Sequence, residues 1–378
     1  MIYHILDEPF STQNGLALSK DVANIMRYDK SSVVLCPQAD ETWGFMAVRI
    51  LRIPLMRLVF KHRTLSIVPS FLRRSLICRI FYPLLSCLNK GDVVWFHNWP
   101  QVCAALGKDI HLRGAKVIYH AHNSLPGRAA RRALRSFHPD ALIFVSEAMR
   151  REALTTLPTL RNTHVVYNGV DDTLFIPQST GASSRNAIPV VLYVGRLVPF
   201  KGVHVLLEAM RILQSRGVNA ICRIVGPAQG RGRNGTATAY VKELHENCPS
   251  NVHFEGFRAV TEISHEYRMA DICCCPSLWK EPFGNVVVEA MACAVPVVAS
   301  RVGGIPEIAK EGGVVLVEPN CAVDLADALQ KLIEDSDLRQ EVASKGLDSF
   351  RSRFTWDTIV KQYSAIIGHR SDLLSNNK

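Results

Sequence analysis

The sequence predicts an α/β protein built from two doubly wound, mostly parallel sheets. Three observations lead there. Short apolar runs of strand length alternate with longer segments of helical periodicity along most of the chain. The alternation runs twice, on either side of the polar stretch Gln178-Ser-Thr-Gly-Ala-Ser-Ser-Arg-Asn186, which reads as a hinge or linker. The chain has 378 residues, 48% of them hydrophobic, which suits two cores.

In the first half the strands are Ile2–Leu6, Ser32–Cys36, Asp92–Phe96, Lys116–His120, Ala141–Val145 and Thr163–Tyr167, with helical pattern between them, as in Leu16–Arg27. In the second half Val190–Gly195 reads as a strand buried on both faces. A helix follows, with apolar residues at Val203, Leu206, Leu207, Met210 and Leu213. Ala220–Gly226, Ile272–Pro276 and Pro296–Ser300 are further strands, Asn285–Ala294 a helix opened by Gly284, and Trp356–Ile367 a terminal helix. The expected domains are 1–175 and 188–354, joined by a linker at 176–187 and followed by a helix at 355–370; the tail from Ser371 is expected to fray.

Composition narrows the function classes. No apolar stretch reaches the ~20 residues of a membrane helix, Phe81–Leu88 being the best and far too short. The N-terminus lacks a charged start before an apolar run, so no secretory signal is expected. Eleven cysteines, three of them consecutive at 273–275 and none in a CxxC pair, read as reduced thiols of a cytosolic protein rather than a disulfide framework or zinc site. The net charge of +10 is uneven: residues 1–175 hold 22 Lys and Arg against 13 Asp and Glu, and residues 176–378 hold 22 against 21. Thr42–Gly91 and Arg113–Arg135 contain no acidic residue. Basic and apolar residues interleaved on helices suit an anionic membrane surface or an acceptor carrying phosphates, and equally a solvated basic face. No recognition-helix or stacking motif supports nucleic-acid binding.

The chemistry concentrates at strand-to-helix junctions, where doubly wound sheets bind ligands. Glu281-Pro-Phe-Gly-Asn-Val-Val-Val-Glu289 places two carboxylates on either side of a helix start, whose unsatisfied N–H groups attract phosphate. Phe283, Gly284 and Asn285 supply that backbone. Arg196 and Lys201 share the short loop after Gly195, and together can neutralise a diphosphate. Gly226 ends the next strand and admits a close backbone approach. Two carboxylates beside an anion site suit a ligand with hydroxyls and phosphates, such as a nucleotide sugar. Taken alone, the same residues read as ordinary surface charges.

Gly195-Arg196-Leu197 with Lys201-Gly202, Ile224-Val-Gly226, Glu281-Pro-Phe-Gly with Glu289-Ala-Met-Ala, Pro296-Val-Val-Ala and Gly303-Gly-Ile-Pro-Glu307 together resemble glycosyltransferase family 4 across roughly residues 190–310. Glu8-Pro-Phe-Ser11 with Gly15, His97-Asn98 and His120-Ala-His122-Asn123 are similar to the subgroup of lipopolysaccharide core N-acetylglucosaminyltransferases and spore-coat glycosyltransferases. The resemblance implies a GT-B fold, two Rossmann-like domains facing across a cleft, and retaining transfer from a nucleotide sugar, UDP-GlcNAc or UDP-Glc, to a glycan or glycolipid such as lipopolysaccharide core. O-antigen and exopolysaccharide acceptors remain open. It implies no cofactor and no obligatory metal.

In that frame Arg196 and Lys201 hold the diphosphate, Glu289 the ribose and Glu281 a sugar hydroxyl. Gly15 lies against the donor phosphates, though the frequent double glycine is reduced here to Asn14-Gly15. His122 approaches the donor sugar, with Asn123 beside it. The turn Gly256-Phe257-Arg258 and Trp279 shape donor specificity, and His97, Asn98 and Asn123 line the acceptor side. Asp171-Asp172, after the inter-domain segment Tyr167-Asn-Gly-Val170, reads as turn residues. The expected location is the inner face of the cytoplasmic membrane, held peripherally by the basic N-terminal domain. Three competing readings stay open: a glycosidase pair at Glu281 and Glu289, a non-catalytic nucleotide-sugar-binding subunit, and a nucleotide-sugar epimerase.

Overall fold

The computed structural model describes residues 1–6, 17–28, 32–36, 49–52, 70–125, 127–178, 187–227 and 239–368. Gly15, the Glu8–Ser11 motif, residues 42–48 and 53–69 of the acid-free stretch 42–91 and the linker residues 179–186 lie outside these. The chain divides into two compact units, Met1–Tyr167 with Val360–Lys378, and Asn168–Ile359.

The first unit holds seven parallel strands: β1 (Ile2–Ile5), β2 (Val33–Cys36), β3 (Arg49–Arg52), β4 (Val93–His97), β5 (Lys116–Ala121), β6 (Ala141–Phe144) and β7 (Thr163–Val165). Their order is β3-β2-β1-β4-β5-β6-β7, so winding reverses between β1 and β4. Every residue of β1 and β4 is buried, as expected of strands covered on both faces by helices. Register then aligns strand ends: His4 lies opposite Trp95, and His97 opposite His120. The rings of His4, Trp95, His97 and His120 therefore gather on the central strands. The terminal helix Trp356–Ile367 sends Tyr363 edge-on against Trp95, with ring centroids 5.0 Å apart. Lys116 Nζ donates to the Ile367 carbonyl at 3.1 Å, closing the end of that helix.

The second unit holds six parallel strands: β8 (Val190–Val194), β9 (Ile221–Val225), β10 (Val252–Gly256), β11 (Ile272–Cys275), β12 (Val297–Ser300) and β13 (Val314–Val317). Their order is β10-β9-β8-β11-β12-β13, and the switch point falls between β8 and β11. The helix Val203–Ser215 forms where the apolar spacing predicts, with Leu206, Met210 and Leu213 fully buried. Each such burial is worth about 1.5–3 kcal/mol. The three consecutive cysteines sit in β11, and burial raises all three thiols, Cys275 to about 11. They behave as small core hydrophobes. Each unit alone has the doubly wound Rossmann-like build, and the pair is the GT-B fold.

Three strands carry no expectation from the sequence: β3, β10 and β13, all at sheet edges. The helix predicted at Asn285–Ala294 ends two residues earlier, at Ala292, because Ala294 takes a left-handed φ of 55°.

Candidate functional site

In the second unit the expected residues lie on loops at the C-terminal edge of the sheet. Leaving β8, the chain passes Gly195 and Arg196 and makes a single turn at Pro199–Lys201. The Tyr193 hydroxyl donates to the Arg196 carbonyl at 2.9 Å and fixes that loop from below. Arg196 itself is exposed, its guanidinium 5.6 Å from the Phe200 ring centre. Gly202 ends the turn with φ 73°, and an added Cβ would come within 1.9 Å of the Pro276 carbonyl oxygen. Only glycine fits there, and the fit brings the loop after β8 against the loop after β11. The Leu278 N–H donates to the Phe200 carbonyl at 2.9 Å and locks the two together.

That junction delivers the central contact. Lys201 Nζ lies 2.5 Å from Glu281 Oε1, and the Ser277 hydroxyl donates to the same oxygen at 2.5 Å. The Glu281 side chain is 7% exposed against 21% for Lys201, so the carboxylate is buried and the ammonium reaches the surface. Trp279 packs beside the ammonium, with its ring centre 5.9 Å away. The Gly304 N–H donates to the Glu281 carbonyl at 2.9 Å, holding the loop from the β12 side. The sequence places Lys201 and Glu281 in separate roles; the structure makes them one ion pair, and adds Ser277, for which the sequence carries no signal.

Gly284 opens the helix Asn285–Ala292 at φ 117° with no side-chain cap. Asn285 Oδ1 accepts from Asn168 Nδ2 at 2.9 Å. The Phe283 side chain is buried against Phe354, leaving its backbone to serve the helix start. Further along, Glu289 accepts from the Tyr267 hydroxyl at 2.9 Å. Burial, and next the Glu289 charge, raise the Tyr267 phenol well above its usual value, so it remains a donor.

Gly226 faces the neighbouring strand end: an added Cβ would lie 1.8 Å from the Gly195 carbonyl oxygen, so what it admits is the Gly195 loop. After β10, Phe257 is 57% exposed, while Arg258 joins Arg223, Glu255 and Glu266 in a four-member ion network. Most of the Arg258 charge is thus engaged within the unit.

In the first unit Asn98, at φ 55°, accepts from the backbone N–H groups of His122 (2.8 Å) and Asn123 (3.2 Å). It fixes the loop after β5 and presents Asn123 on the surface. His97 does not line a surface. It is fully buried, its Nε2 3.2 Å from His4 Nδ1 and its Nδ1 3.0 Å from His122 Nε2. The reason is register: His97 ends a central strand, where the ring is fully buried, and its Nδ1 faces His122. Beyond His122, Asp21 Oδ2 lies 3.7 Å from Nδ1. Ser32 Oγ is 3.4 Å from His4 Nε2 at the other end. Ser32, His4, His97 and His122 form a hydrogen-bonded row with the Asp21 carboxylate near its end, and the sequence shows only His97 and His122 of it. Burial lowers the His122 ring to about 3, and burial with mutual repulsion lowers His97 and His120 well below the usual value. All three are neutral near pH 7.

The helix Gly127–Ser136 buries Ala130, Ala133 and Leu134 and exposes Arg128, Arg132 and Arg135. Among the described residues no helix is long and apolar enough to cross a membrane.

Comparison with known proteins accounts for both units. The family profile "Glycosyltransferase Family 4" matches residues 30–174, and "Glycosyl transferases group 1" matches residues 181–348. The D-inositol 3-phosphate glycosyltransferase of Corynebacterium glutamicum is 34% identical over 212 residues, 53% of this chain and 50% of that one. Spore coat protein SA of Bacillus subtilis is 27% identical over 242 residues, 60% and 64% of the two chains. This chain therefore spans about half to two thirds of the curated relatives it matches. Among solved structures, Anabaena HepE in complex with UDP-glucose superposes with a TM-score of 0.76 at 24% identity, covering 98% of this chain and 100% of that one.

Proposed function

The chain belongs to glycosyltransferase family 4, and on that premise we propose that it is a retaining transferase moving a sugar from a uridine diphosphate donor, UDP-GlcNAc or UDP-glucose, to a cell-surface glycan such as lipopolysaccharide core. The observation that carries this reading is the buried Lys201–Glu281 pair beside the exposed Arg196, on the ligand-binding edge of a Rossmann-like sheet. Glycoside hydrolysis needs no cation clamp, so the arrangement argues against a glycosidase pair.

Arg196 and Lys201 bind the donor diphosphate. As the bond from the anomeric carbon to the phosphate oxygen breaks, negative charge grows on that oxygen, and the fixed cations and the N–H groups of the helix opened by Gly284 stabilise it. One such group is worth ~3 kcal/mol, or about 100-fold in rate. Glu281 holds Lys201 in place and offers its remaining acceptor capacity to a sugar hydroxyl; Glu289 accepts from the ribose. The acceptor hydroxyl attacks from the face the diphosphate leaves, its proton passing to a donor phosphate oxygen, so configuration is retained. No cofactor or metal is required. The resemblance assigns His122 to the donor sugar, and Asn98 sets its backbone.

A uridine donor is supported by the likeness to HepE, solved with UDP-glucose. The exposed Arg128, Arg132 and Arg135 suit a phosphate-bearing acceptor or an anionic membrane, and so support the reading of a peripheral protein on the inner face of the cytoplasmic membrane. O-antigen and exopolysaccharide intermediates are the alternative acceptors. The test incubates the protein with labelled UDP-GlcNAc or UDP-glucose and lipopolysaccharide core, and reads the product and its anomeric configuration by NMR. Transfer with retention is expected. Donor binding without any product would indicate a non-catalytic subunit, and a changed sugar without acceptor an epimerase.

A further inference from the structure

The donor reading uses His122 and leaves His120 unexplained. His120 is fully buried, and neither of its ring nitrogens has a hydrogen-bond partner among the described residues. A neutral imidazole carries one donor and one acceptor, and burying both unpaired is costly. Its ring stands beside two others: His120 and His122 centroids are 3.9 Å apart, and His120 and His97 centroids 5.5 Å. One nitrogen from each of His97, His120 and His122 falls within 4.8 Å of the others.

We propose that His97, His120 and His122 form a binding site for a borderline transition-metal cation, Zn2+ by preference. Three imidazole nitrogens select Zn2+, Cu2+ or Ni2+ over Mg2+ and Ca2+, which take oxygen ligands. A tetrahedral Zn2+ with Zn–N of ~2.0–2.1 Å holds its nitrogens roughly 3.3 Å apart. His97 Nδ1 and His122 Nε2 are already 3.0 Å apart, so a small ring rotation opens the seat. The outer nitrogens are also provided for. A metal on those two facing atoms leaves the protons on His97 Nε2 and His122 Nδ1. His97 Nε2 lies 3.2 Å from His4 Nδ1, and His122 Nδ1 lies 3.7 Å from the Asp21 carboxylate. Imidazole and carboxylate partners of this kind orient metal-bound histidines. The metal also gives His120 the partner it lacks. His122 is the least buried of the three, so the fourth coordination position opens toward it. The site is not required for transfer. Occupation takes the His122 lone pair and so opposes any role of His122 in donor binding, a consequence that rests on the function proposed above.

The test is calorimetric titration of the chelator-treated full chain with Zn2+, alongside Co2+ titration read by visible absorption. One ion per chain is expected, with Co2+ absorption in the range of tetrahedral nitrogen coordination and no competition from Mg2+. His120→Leu fills the space without the nitrogens and keeps the core apolar; it should weaken Zn2+ binding at least tenfold while the protein keeps its far-UV circular dichroism. His97→Asn should do the same, and Asp21→Asn should weaken binding about 10–100-fold. Absence of a stoichiometric site in the wild type, or equal affinity in wild type and His120→Leu, overturns the proposal. Inhibition of transfer by Zn2+, relieved in His120→Leu, supports both readings. Binding without inhibition keeps the metal site and removes His122 from the transfer reaction.

Discussion

Replacing Lys201 by methionine separates its structural contribution from the catalytic one proposed for it. Methionine keeps much of the stem that packs near Trp279 and removes the charge. Glu281, 7% exposed, is then left with Ser277 as the remaining side-chain donor on Oε1. Breaking a buried pair from one side costs about 3–5 kcal/mol. Here Lys201 is 21% exposed and the Ser277 bond survives, so about 2 kcal/mol is the expected loss. For a unit the size of Asn168–Ile359 that lowers Tm by roughly 4–8 °C. Adding Glu281→Gln removes the stranded charge, so the double variant should recover part of the loss, with a coupling of about 1–2 kcal/mol in a double-mutant cycle. Donor-dependent turnover should fall about 100-fold in Lys201→Met and stay low in the double variant. Calorimetry and initial rates read both. Additive stabilities with Lys201→Met within about 0.5 kcal/mol of wild type would refute the pair as an energetic unit. Unchanged turnover would refute its place in the donor site.

Three further outcomes follow from the same geometry. Glu289→Ala should lower donor-dependent turnover at least about tenfold in a folded protein, and Tyr267→Phe should raise the donor KM, since it removes the hydrogen bond that orients the carboxylate; wild-type kinetics in both would remove Glu289 from the site. Gly202→Ala should destabilise the second unit by about 2–4 kcal/mol in urea, because its φ of 73° and the 1.9 Å approach to the Pro276 carbonyl both oppose a Cβ; a loss below about 0.5 kcal/mol would contradict the loop packing. The metal-free protein should lose stability as pH falls below 6.5 toward about 3. His122 stays neutral in the fold and takes a proton when unfolded, so the unfolded state binds more protons across that window. Each such histidine contributes a slope approaching 1.4 kcal/mol per pH unit, and flat urea midpoints between about pH 7 and 5 would contradict the buried neutral cluster.

Central strands were legible because burial on both faces demands continuous apolar runs, as in Val190–Val194 and Ile272–Cys275. Edge strands face no such demand. Arg49–Arg52 and Val252–Gly256 carry charged or polar residues that read as loop, and Val314–Val317 is a four-residue run after two glycines. The junction motifs were legible because their residues are local: each lies in one strand-to-helix junction, and resemblance to a family ties the junctions together. What joins separate junctions was not. The Lys201–Glu281 contact spans 80 residues and depends on Gly202 packing against Pro276. The histidine cluster draws on β1, β4, β5 and the loop beyond, and register sets His97 opposite His120 within it. Single histidines at strand ends gave the only sequence signal, and pairing order, which sequence does not state, turns them into a cluster.

The most direct test of nucleotide-sugar binding is thermal unfolding of the intact chain against a panel of nucleotide sugars, each paired with its free nucleotide. A ligand at 100 times its dissociation constant stabilises the fold by about 2.7 kcal/mol. A selective rise in Tm with one UDP-sugar, lost in Lys201→Met, is the predicted result. No rise with any nucleotide or nucleotide sugar would contradict a donor site at Arg196, Lys201 and Glu289.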